Sequence, residues 1–83
     1  MNLRVEFHGL DGNANAVKLG ELRFDGEKIT ATAKALERVL REPIILPKSG
    51  GTLHATTDPV RFMESLCFHY KSPYFMASKA RRS

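Results

Sequence analysis

The 83-residue chain has no tryptophan and only one cysteine, Cys67. A single thiol excludes an intrachain disulfide, the device on which small secreted domains usually depend. No apolar run approaches the roughly 18 residues of a membrane-spanning helix. Arg4 and Glu6 interrupt the first apolar stretch, which is not the pattern of a secretory leader. The expected compartment is cytoplasmic, with no membrane partner. No spacing of Cys, His and carboxylates matches a zinc site. Gly9, Gly12 and Gly20 are followed by no Gly-Lys-Ser/Thr, so a phosphate loop is not expected either. The expectation is therefore no cofactor and no metal.

Most of the chain carries no net charge. Residues 1–70 carry nine basic and nine acidic side chains, and the net +4 comes entirely from Lys71, Lys79, Arg81 and Arg82. A neutral body with a basic end points to an anionic partner or to a solubilising terminus. At 42% hydrophobic and 27% charged, the composition is that of an ordinary globular domain. A chain this short holds one modest core and has little room for a deep active-site cavity.

Hydrophobic periodicity places the elements. Leu3, Val5 and Phe7 alternate with Arg4, Glu6 and His8, the period of a half-buried strand. A second strand spans Ala16 to Phe24, but its phase slips at Gly20. A bulge there would turn Val17, Leu19, Leu22 and Phe24 to one face. Asp25-Gly26 predicts a tight turn into a third strand over Lys28 to Thr32. Leu36, Val39 and Leu40 give a helical stripe over Ala33 to Arg41, ended by Pro43. Ile44-Ile45-Leu46 reads as a short strand buried on both faces or as a covered edge, and Thr52 to Thr56 as another short strand able to pair back. Asp58 as N-cap and Pro59 at the first helical position begin a second helix, with Phe62, Met63, Leu66, Cys67 and Tyr70 on its apolar stripe. The expected fold is α+β: a small antiparallel sheet of three to four short strands against two helices, in the order β-β-β-α-β-α. Residues 1–77 are expected to form one domain, and 78–83 a basic tail that frays.

Catalysis is not expected. His8 lies near Asp11, and His54 near Asp58, but acid–base chemistry needs groups within about 3 Å, which closeness in sequence does not supply. A solvated histidine on a polar strand face is the plainer account of His8. Cys67 and His69, two apart on a helix, point about 200° apart and cannot act as one pair. Cys67 on the apolar stripe is expected to be a small core hydrophobe.

Binding residues are expected in the last third, where aromatic and basic side chains mix: Phe68, Lys71, Tyr74, Phe75, Lys79, Arg81 and Arg82. The first expectation is a non-enzymatic protein–protein interaction module. It would use an open sheet edge, Phe68 and the Tyr74–Met76 segment to hold another protein or a second copy of itself. The alternative is RNA or DNA, with bases stacking on rings and cations meeting phosphates.

Overall fold

Strand β1 (Leu3–Leu10) is central because its alternation is cleanest: Leu3, Val5 and Phe7 are buried, and the residues between them are half-exposed. The computed structural model describes residues 2–70 and 75–82. Antiparallel to β1 runs β2 (Ala16–Phe24), followed by β3 (Ile29–Ala31) on its far side. Asp11 organises the loop between β1 and β2. Its carboxylate accepts from the amides of Asn13 and Asn15, and these bonds hold its pKa below the ordinary value. Asp25 does the same at the next turn, accepting from the amides of Glu27 and Lys28, with its pKa lowered in turn.

The predicted bulge is present. Phe7 pairs with Gly20 and His8 with Lys18, so Leu19 is the extra residue on β2. Leu22 and Phe24 enter the core as expected. Val17 faces Gly9, on the same side, yet Val17 and Leu19 remain 37% and 38% exposed. The hairpin simply runs past the helices that cover its inner face.

The first helix, Lys34–Leu40, has 3-10 rather than α geometry. Three residues per turn put Leu36 and Val39 directly over one another, and these are its two buried residues. Next come β4 (Ile44–Ile45) and β5 (Thr52–Leu53), paired as a separate two-stranded ribbon. Ile44 is buried but Ile45 is 65% exposed, so this strand is covered on one face only, against expectation. Helix α1 (Pro59–His69) buries Phe62, Met63 and Leu66 against the sheet. Asp58 occupies its N-cap, but the Asp58 carboxylate accepts from the Thr57 hydroxyl (3.2 Å) instead of from the first-turn amides. Cys67 is only half-buried, at the margin of the stripe, not the core residue expected.

The largest departure is at the end of the chain. β6 (Met76–Ala77) and β7 (Arg81–Arg82) both pair with the free edge of β1. The main sheet therefore has five strands, with β3-β2-β1 flanked by β6 and β7. Between them, the Ser78 amide donates to the Glu6 carbonyl (2.8 Å) and the Glu6 amide donates to Ser78 Oγ (3.0 Å). An eight-residue strand with one bare edge leaves backbone donors and acceptors unpaired, and the terminal segment satisfies them. Arg81 and Arg82 are thus strand residues, not a frayed tail.

Candidate functional site

Three aromatic rings form the floor of the region where α1 ends. Phe7 meets Phe75 edge-on at 5.5 Å and Tyr70 edge-on at 6.3 Å, while Tyr70 and Phe75 stack at 6.1 Å. Tyr70 leaves the helix in an extended conformation, and its hydroxyl donates to Glu42 Oε2 at 3.4 Å. Burial, then the Glu42 charge, push its pKa above the ordinary tyrosine value. The hydroxyl therefore stays protonated and ties the helix end to the residue before Pro43.

Above this floor His69 stands between two clefts. One, of about 440 Å³, is bounded by Leu46, Pro47, Lys48, Ser49 and His69. The other, of about 230 Å³, is bounded by Glu42, Pro43, Ile44, Ile45, His69 and Tyr70. Pro43 and Pro47 bracket β4 and hold its flanks extended. The Leu46 amide donates to the Gly51 carbonyl, and the Gly50 amide back to Leu46, fixing the Pro47–Ser49 turn as one wall. Ile45 at 65% and Phe68 at 70% are exposed near this groove, Ile45 lining one cleft and Phe68 preceding His69 on α1. The cleft along Leu46 and Pro47 is apolar, while the one beside Glu42 is of mixed polarity, and together they are suited to holding an apolar side chain of another protein next to a polar group.

The seven residues expected to bind do not converge. Phe68 lies one residue from the groove. Phe75 spends its ring on the aromatic floor, half-buried against Phe7, because β6 draws it onto the core. Lys79, Arg81 and Arg82 lie along the β1 edge. Lys71 and Tyr74 fall outside the described residues. Ile45, Leu46 and Pro47 were not expected in a site. Only the alternation rule hinted at Ile45, since adjacent strand residues face opposite ways.

The outer face of the sheet is a second surface, and it is charged. Glu21 is buried beneath its own cations: Arg23 at 2.9 Å, Lys18 at 3.4 Å and Arg4 at 3.7 Å. The hydrogen bond from Arg23 lowers its pKa against the opposing effect of burial, and Lys18 lowers it further. Arg4 Nε and Glu21 Oε2 are both buried without a hydrogen-bond partner, a donor and an acceptor on neighbouring groups. Lys18 also reaches Glu6 at 3.6 Å, and His8 Nε2 lies 3.6 Å from the same carboxylate. A carboxylate with a depressed pKa adds stability above its unfolded value of about 4.3, and that stability is lost as pH falls through the folded value. Glu21→Gln is expected to lose about 1 kcal/mol at pH 7, since the cations are half-exposed. Its thermal midpoint is also expected to fall less than that of the parent between pH 5 and pH 2. Parallel acid titrations of the two melting curves check this.

β2 offers a bare edge as well, because β3 covers only Leu22 to Phe24. Thr32 closes the end of that covered stretch, its amide donating to the Glu21 carbonyl and its hydroxyl accepting from the Glu21 amide. Lys18 sits in the middle of what remains open, a charge that discourages strand addition. Comparison with models of known families, with curated proteins and with solved structures gives no match, so function is read from geometry alone.

Proposed function

We propose that the chain is a non-enzymatic binding module whose groove beside His69 takes a short apolar segment of a partner protein. The observation that carries this reading is the pair of clefts meeting at His69, with Ile45 and Phe68 displayed close by. Burial explains neither large side chain. Fully covering one is worth about 1.5–3 kcal/mol, so two such anchors supply affinity without a deep pocket. Tyr70, which lines one cleft and packs on Phe7 and Phe75, holds that wall in shape before a partner arrives, which limits the entropy lost on binding.

Selection of a random linear peptide library against the immobilised protein tests the reading. Peptides rich in aliphatic or aromatic residues are expected, and their affinity should fall about tenfold or more in Phe68→Asp and Ile45→Asp. Both positions are exposed, so both variants should fold. If no peptides are selected, or if their affinity is indifferent to both substitutions, the groove is not the binding site.

A further inference from the structure

We propose that the outer face of the sheet binds the phosphate backbone of a single-stranded nucleic acid. The register places Arg81 directly opposite Arg4, and Arg4 directly opposite Arg23. Directly opposed residues of antiparallel strands share a face, so three guanidinium-bearing side chains stand in one row across β7, β1 and β2. Neighbouring strands lie about 4.8 Å apart, so the row spans about 10 Å. Like charges directly opposite weaken an antiparallel pair. Glu21 lies between Arg4 and Arg23 and offsets that repulsion, so the row is held together without losing its cations.

Of the two counterions on this face, Glu21 lies underneath, while the Glu6 side chain stays 33% exposed. Glu21 keeps only 5% of its side chain exposed, while Arg4, Lys18 and Arg23 keep 41%, 47% and 62%. Glu21 therefore gathers three cationic side chains from below and leaves their outer surfaces to solvent. Four cations (Arg4, Lys18, Arg23 and Arg81) stand over two carboxylates, Glu6 and Glu21, so the face is positive although residues 1–70 are neutral. Guanidinium forks match phosphate oxygens in pairs, which suits a row of arginines to a chain of phosphates. The register also puts Met76, 75% exposed, opposite the half-exposed His8 ring on the same face, an apolar contact beside one ring on which a base can rest. Among the described residues, α1, the 3-10 helix and the β4–β5 ribbon all pack on the core face of the sheet, which leaves this face without an element to enter a duplex groove and favours a single strand.

Fluorescence anisotropy with a labelled 20-nucleotide oligothymidylate between 50 and 300 mM salt tests the proposal. About four phosphate contacts predict a log–log salt slope near −3. Arg81→Gln and Arg23→Gln, with circular dichroism confirming their fold, should each weaken binding about 3- to 10-fold and reduce the slope by about 0.7. Lys34→Gln and Arg61→Gln, exposed on the 3-10 helix and on α1, remove the same charge elsewhere and should change affinity less than about twofold. No binding at 50 mM salt, equal losses in the two sets of variants, or equal affinity for duplex DNA would each overturn it. So would binding of an acidic protein through this face with no binding of the oligonucleotide.

Discussion

Phe7→Ala is expected to destabilise the protein by about 3–5 kcal/mol. Phe7 is fully buried at the middle of the central strand and touches both Tyr70 and Phe75. Removing its ring leaves a cavity between the sheet and the end of α1 and takes the contact surface from two further aromatics. A domain of this size has about 4–12 kcal/mol of total stability, so this one change uses up much of it. Urea unfolding followed by circular dichroism measures the loss. A cost below about 1 kcal/mol would show that the aromatic cluster is not part of the core. The effect should extend to the groove, because Tyr70, which lines one cleft, would lose its packing against Phe7.

Gly20→Val is expected to cost about 2–3 kcal/mol. A Cβ at Gly20 would lie 2.8 Å from the Ala33 Cβ, 3.0 Å from Leu36 Cδ1 and 3.1 Å from Thr32 Oγ1. Ala33 has no rotamer by which to yield, so the start of the 3-10 helix must move. Thr32 is held by its bonds to Glu21 and cannot move freely either. Gly12→Val is the matched control: nothing lies within 4 Å of the added Cβ, and the expected change is within about 0.5 kcal/mol. Equal melting temperatures for the two variants would contradict the close approach of β2 and the helix.

The bulge at Gly20, the hairpin turn at Asp25 and the start of α1 at Pro59 were legible because each rests on local chemistry: a phase slip, a turn dipeptide, a residue without an amide. The sites were harder to read because they depend on coverage. Val17 and Leu19 have the alternation of core residues, and only the position of the helices shows that the hairpin extends beyond them. Ile45 looked buried because it sits in an apolar triplet, but a two-residue strand backed on one side exposes every second residue. Arg81 and Arg82 looked like a solvated tail, since nothing in a run of charged residues announces a strand. Their place follows from an unsatisfied edge some 77 residues away in sequence, at Arg4 and Leu3. The arginine row is invisible until that register is known. Truncating the chain after Ala77 would remove β7 together with its charges, so single substitutions are the cleaner probe.

The most direct measurement is a two-dimensional amide NMR titration of the 15N-labelled protein with a library-selected peptide. Shifts concentrated at Ile45, Lys48, Ser49, Phe68 and His69, with Arg4, Glu6 and Arg23 unmoved, are the predicted result. Shifts confined to the sheet face, or spread evenly over the molecule, would contradict the groove as the place where this protein meets its partner.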